Sequence, residues 1–200
     1  MDNSSPFSRR SFVTGSTATI AAVAASMNHR FSLADEAAKA AGVTAKINHS
    51  VCKWCYKGVT LEELCIAGKE FGLQSIELLD PADFPMLKKH GYDCAMVNYP
   101  SIKVDIGGKE KKVGSIPHGF NRLEHHDTLV ELYEAQIKTA AEAGFKQVIC
   151  FSGNRDGMDD EEGLKNCAVG LKKIMPIAEK HGITISMELL NSKVNHADYM

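Results

Sequence analysis

Ala143-Gly144-Phe145-Lys146-Gln147-Val148-Ile149-Cys150-Phe151 is the stretch on which the reading of the fold turns. Upstream of it, residues 129–143 bring apolar side chains round at helical spacing, with acids early, and predict a helix. Gly144 supplies the stop, because glycine enters the left-handed conformation that ends a helix at little cost. Residues 146–151 then form a short apolar run, the pattern of a strand covered on both faces. A helix feeding such a strand through a single glycine is half of a strand–helix–strand unit, and the question is whether the unit recurs.

It does, in both directions. Downstream, residues 161–181 read as the next helix, with Pro176 expected to kink or split it near Met175 because proline removes a backbone donor and crowds the preceding turn. Residues 184–190 read as the following strand. Upstream, residues 46–51 predict a first strand, and Thr60-Leu61-Glu62-Glu63 opens a helix with a capping box, in which the Thr hydroxyl and the Glu three positions on satisfy each other's free amides. Gly72 ends that helix. Residues 73–79 give a second strand, Asp80-Pro81 a turn, residues 83–90 a short helix closed by Gly91, and residues 94–98 a third strand. In the long segment 99–126, residues 102–106 and 109–113 predict a hairpin turned by Gly107-Gly108.

Five strands separated by helices require a parallel sheet, and right-handed crossovers put every strand's C-terminal end on one face. The expected class is therefore α/β, as a barrel or a doubly wound sheet. At or just past those strand ends stand His49, Trp54, Glu77, Asn98, Ser152, Asn154, Arg155, Glu188 and Asn191, a polar set at the positions where such folds keep their chemistry. The loop stretch His118-Gly119-Phe120-Asn121 is expected over the same face. There His118 and Asn121 either touch substrate hydroxyls or serve the loop itself. His125 and His126 frame a helix start, and His90 and His181 sit at helix C-termini, where a cation suits the dipole.

The N-terminus reads differently. Ser8-Arg9-Arg10-Ser11-Phe12-Val13 precedes a mildly apolar Ala/Thr/Gly run over residues 14–25, the layout of a twin-arginine export signal. The run is too short to span a membrane, which needs about 20 apolar residues. Ala38-Lys39-Ala40 has the form of a cleavage site. The expected division is a signal and linker over residues 1–41 and a barrel domain over residues 42–200, with the twin-arginine translocation machinery as a partner and the periplasm as destination. That route carries folded proteins, which suits an enzyme loaded with a metal before export.

With 44% hydrophobic and 24% charged residues the chain has the composition of a globular protein, and its formal charge of −2 offers no basic surface for nucleic-acid phosphates. Of its six cysteines, Cys65, Cys94, Cys150 and Cys167 fall on apolar faces and read as core. Cys52-Lys53-Trp54-Cys55 is a C-x-x-C without the second ligand pair that a zinc site requires. Trp54 beside it is read as an apolar wall of a substrate pocket.

Three motifs carry a family resemblance: Gly72-Leu73-Gln74-Ser75-Ile76-Glu77-Leu78, Ala143-Gly144-Phe145-Lys146-Gln147-Val148 and Met187-Glu188-Leu189-Leu190-Asn191. From about residue 46 to residue 200 the chain resembles the xylose isomerase-like barrel superfamily of sugar phosphate isomerases and epimerases, hydroxypyruvate isomerases above all. The resemblance implies that Glu188 both ligates a divalent metal (Mg, Mn, Co or Zn) and carries protons as a catalytic carboxylate. By their places at the strand ends and on the loop above them, Trp54, Glu77, His118, Asn121 and Asn191 are the expected substrate contacts, with a structural role bonding neighbouring strand ends equally open for Glu77. The resemblance implies interconversion of hydroxypyruvate and tartronate semialdehyde, or of a similar small hydroxy-carbonyl compound. A sugar epimerase, a non-catalytic sugar-binding barrel and, more remotely, an endonuclease-type relative are the alternatives. The resemblance also implies a (β/α)8 barrel, incomplete here since such a barrel takes about 250 residues, with the remaining metal ligands on later strands and so expected beyond residue 200. An open five-strand sheet with two free edges is expected to self-associate.

Overall fold

A computed structural model of the chain describes residues 47–200. The arginine pair, the apolar run after it and the boundary at residues 41 and 42 lie outside the described residues. In chain order the regular elements are β1 (Ser50–Cys52), α1 (Leu61–Glu70), β2 (Ser75–Glu77), α2 (Phe84–Lys89), β3 (Ile102–Ile106), β4 (Lys109–Val113), α3 (His126–Glu142), β5 (Gln147–Cys150), α4 (Asp160–His181) and β6 (Thr184–Met187).

Local sequence accounts for the element ends. Thr60 Oγ1 accepts the Glu63 N–H at 3.2 Å, and Glu63 Oε2 accepts the Thr60 N–H at 2.8 Å, so the expected capping box opens α1. At its far end Gly72 takes φ 70°, and the Leu73 N–H returns to the Gly68 carbonyl at 2.9 Å. Thr60→Ala removes one half of the box and is expected to cost about 1 kcal/mol, read as a lower urea midpoint at unchanged slope. Asp159 caps α4 by accepting the Glu161 and Glu162 N–H groups at 3.0 and 3.2 Å.

Two expectations are corrected. Pro176 neither splits α4 nor ends it: the helix runs unbroken from Asp160 to His181. Ile174 and Ala178, on either side of the proline, are fully buried in the core, and that packing outweighs the one backbone bond the proline lacks. The third strand is also not a regular ladder. Around residues 94–98 the chain keeps only isolated parallel bridges, Ser75 with Asp93, Leu79 with Val97 and Val97 with Val148. Side chains divert its donors: the Cys94 N–H goes to Asp93 Oδ1 and the Ala95 N–H to Ser75 Oγ, both at 2.8 Å.

Those bridges nonetheless join the two parallel pairs, β1 with β2 and β5 with β6, in the order β1, β2, residues 93–98, β5, β6. Successive units thus lie side by side, as around a barrel wall. Between the sheet and its helices sit Ile76, Leu79, Leu87, Val97, Leu129, Tyr133, Ile137, Val148 and Ile174, all at most 2% exposed. Cys65, Cys94, Cys150 and Cys167 are buried free thiols in that core, as their positions suggested. The hairpin forms in the expected register, Ile106 opposite Lys109 across Gly107-Gly108.

Candidate active site at the strand C-terminal ends

Glu188 directly follows β6, and its backbone is held from two sides. Its N–H donates to the Cys150 carbonyl at 3.0 Å, which carries the parallel pairing one residue past the strand. Its carbonyl accepts the Tyr199 hydroxyl at 2.9 Å, and that hydroxyl oxygen in turn accepts the Ser152 N–H at 3.0 Å. The side chain is half-buried, and burial pushes its carboxyl pKa up while His196 acts in the opposite direction. A carboxyl shifted toward neutrality at the mouth of a cavity is suited to taking up and releasing protons.

That cavity measures about 550 Å³. Glu188, His196 and Asn98 supply its polar lining, and Trp54 stands in its wall with 65% of its surface exposed. Asn98 is fixed by its side-chain amide, which donates a hydrogen bond to Asp80 Oδ1 at 2.9 Å, and by its backbone carbonyl, which accepts the Gln136 side-chain amide at 2.8 Å. His196 arrives on a turn made by Asn191, whose Oδ1 accepts the Lys193 N–H at 2.9 Å and whose carbonyl accepts the His196 N–H at 3.1 Å. Beyond it, residues 198–200 are tied back to the loop after β5. The Arg155 N–H donates to the Asp198 carbonyl at 2.7 Å, the Arg155 guanidinium to the Tyr199 carbonyl, and the Met200 N–H to the Gly153 carbonyl at 3.1 Å.

Of the residues proposed from sequence, Glu188 and Trp54 meet in this cavity. Asn191 is exposed and orders the turn that presents His196. Glu77 lies opposite Cys52 in the β1–β2 pairing, outside the cavity lining, where its charge adds to the burial that raises the Cys52 thiol pKa. Asn121 is fully buried: its side-chain amide donates to the Asn154 carbonyl at 2.7 Å, and its backbone carbonyl accepts the Asn166 side-chain amide at 3.0 Å. His118 is half-buried on the same loop, its ring 5.8 Å from that of His125.

This loop is bolted to the sheet. The Phe120 and Asn121 N–H groups donate to the Phe151 and Ser152 carbonyls at 3.1 and 2.8 Å. His125 and His126 do more than frame a helix: both are buried, with His125 Nδ1 3.0 Å from the Gly119 carbonyl and His126 Nε2 2.8 Å from that of Phe120. Burial pushes the His125 pKa below its ordinary 6.5, and among the described residues its buried Nε2 has no hydrogen-bond partner that could accept from a protonated ring. The unfolded chain therefore binds a proton that the folded one resists. His125 contributes stability that is full above about pH 6.5 and lost as the pH falls below it. Urea midpoints taken from about pH 7.5 down to about pH 5.5 should fall, and His125→Gln should flatten that fall.

His196 and the apolar lining other than Trp54 were not anticipated from the sequence. The available signal was the polar run Asn195-His196-Ala197-Asp198-Tyr199 just past the last strand, where a barrel's catalytic loops begin. As a metal site the described residues do not suffice. A carboxylate and an imidazole are the right kinds of donor, but no group of three His, Cys, Asp or Glu side chains converges among the described residues.

Residues 68–198 match the family described as xylose isomerase-like TIM barrel. The chain belongs to that family. Solved structures of the same architecture include a D-tagatose 3-epimerase-like protein, at 16% identity and TM-score 0.54 over 77% of this chain and 56% of that one. A 3-keto-D-glucoside 4-epimerase from E. coli aligns at 14% identity and TM-score 0.54, over 77% of this chain and 58% of that one. An AP endonuclease of family 2 from Brucella melitensis aligns at 20% identity and TM-score 0.57, over 76% and 59%. The chain thus spans just over half the length of these family neighbours, and at such identities they establish its fold. A comparison with curated protein sequences found no significant match.

Proposed function

We propose that the protein is an isomerase or epimerase that moves a proton next to the carbonyl of a hydroxy-carbonyl substrate, with Glu188 as the proton carrier. The observation that carries this reading is the placement of Glu188: a half-buried carboxyl with a raised pKa, at a strand C-terminal end, in a cavity with His196 opposing the shift. In the reaction, the Glu188 carboxylate takes the proton from the carbon beside the carbonyl. The C–H electron pair becomes the double bond of an enediolate, and the carbonyl oxygen takes the charge. Return of the proton to the former carbonyl carbon, with the proton of the neighbouring hydroxyl passing to the former carbonyl oxygen so that the new carbonyl forms on its carbon, gives the isomer. Return to the original carbon from the opposite face gives the epimer and calls for a second proton donor there.

Hydroxypyruvate and tartronate semialdehyde are the pair that the sequence resemblance supports, while the size and apolar lining of the cavity favour a larger keto-sugar. The test is product formation from hydroxypyruvate and from keto-sugars, with Mg²⁺, Mn²⁺, Co²⁺ or Zn²⁺ added and again after chelation, because the resemblance implies a divalent ion. An isomer or epimer that appears with the ion and disappears without it supports the reading; unchanged substrate throughout contradicts it. Export by the twin-arginine route to the periplasm belongs to the same proposal and is supported by Arg9-Arg10 and the apolar run behind them. Replacing both arginines by lysine should leave the protein in the cytoplasmic fraction of an expressing cell, and unchanged periplasmic recovery would refute the route.

A further inference from the structure

Most of the cavity wall is apolar, and much of it aromatic. Trp54, Tyr99 and Phe151 line it together with Leu78, Ile116 and Leu190. Tyr99 and Phe151 meet edge to face with ring centroids 4.8 Å apart, an arrangement that fixes both rings. Leu78 is held at φ 56°, a left-handed backbone that a branched side chain adopts only when its surroundings impose it. Its N–H is anchored to the Met96 carbonyl at 2.8 Å, so the strain is maintained at a position whose side chain lines the cavity. Trp54 leaves 65% of its surface exposed, so its indole is open to a ligand.

A three-carbon hydroxy acid has almost no apolar surface to set against such a wall and would fill little of about 550 Å³. A closed sugar ring with equatorial hydroxyls has a flat face of C–H groups that matches an aromatic platform and a rim of hydroxyls for polar groups such as Asn98, Glu188 and His196. An open-chain sugar presents no such face. We propose that the substrate is a ring-closed sugar bearing a ketone, its C–H face laid on Trp54 and the Tyr99–Phe151 pair and its carbonyl edge toward Glu188. This rests on the proton-transfer reading above and narrows its substrate class.

Trp54 is the only tryptophan in the chain, so its emission reports on this wall alone. The full chain is titrated with methyl β-D-glucopyranoside, with the open-chain polyol sorbitol and with hydroxypyruvate. The glucoside should give a saturable blue shift, and sorbitol and hydroxypyruvate none at equal concentration. Tyr99→Ala should weaken glucoside binding about tenfold, while Tyr99→Phe, which keeps the ring, should bind as the wild type does. No shift with the glucoside, or an equal shift with sorbitol or hydroxypyruvate, overturns the assignment. Glucoside binding by a protein that moves no proton on any keto-sugar overturns the reaction and leaves the ring assignment standing. Turnover of hydroxypyruvate without glucoside binding does the reverse.

Discussion

Glu188→Gln is expected to slow substrate turnover by about 10³-fold while leaving cooperative unfolding unchanged. Glutamine keeps the size of the side chain and its hydrogen-bonding edge, but its amide cannot accept a proton from carbon. The two bonds that seat the residue in the fold, to the Cys150 carbonyl and from the Tyr199 hydroxyl, belong to the backbone and survive the change. A loss of turnover accompanied by a lower midpoint would assign the effect to folding; the expected result separates the two, with matched denaturation curves and unmatched rates.

Gly119→Ala is expected to destabilise the protein by about 3 kcal/mol, near the top of the range for overpacking. A Cβ built on Gly119 would stand 2.1 Å from the Phe151 carbonyl oxygen and 2.6 Å from that of Ser152. Both atoms are backbone, and both accept the N–H bonds that hold Phe120 and Asn121, so relief of the clash must lengthen the bonds that seat the loop. Hydrogen exchange at the Phe120 and Asn121 amides should accelerate in parallel with the fall in midpoint. Loss of less than about 0.5 kcal/mol, within the range of an ordinary surface change, would mean that the loop is not pinned as described.

What the sequence disclosed and what it hid follow from the range of the interactions involved. The capping box at Thr60 and Glu63, the hairpin turned by Gly107-Gly108 and the buried cysteines are decided by neighbours a few positions away or by plain periodicity. The irregular third strand was hidden because Ser75, twenty residues earlier, takes the Ala95 donor. The continuity of α4 was hidden because burial of Ile174 and Ala178 outweighs the local effect of Pro176.

The same distinction runs through the site. Strand-end position alone located Glu188 and Trp54, and the cavity contains both. It could not show that Asn121 points into the protein, since its side-chain amide is held by the Asn154 carbonyl, thirty-three residues on. Nor could it single out His196, whose turn is fixed by Asn191 and whose following residues are fixed by Arg155. The family match over residues 68–198 fits this division: it covers the repeating units, where pattern is legible, and leaves chemistry to individual side chains.

The most direct test of Glu188 as the proton carrier is carbon-bound deuterium. The protein is incubated with a keto-sugar in ²H₂O, and the substrate is read by NMR for exchange at the carbon beside the carbonyl, in wild type and Glu188→Gln side by side. The account predicts exchange by the wild type and none above the uncatalysed rate by the variant. Equal exchange by both proteins, each shown to be folded, would contradict it.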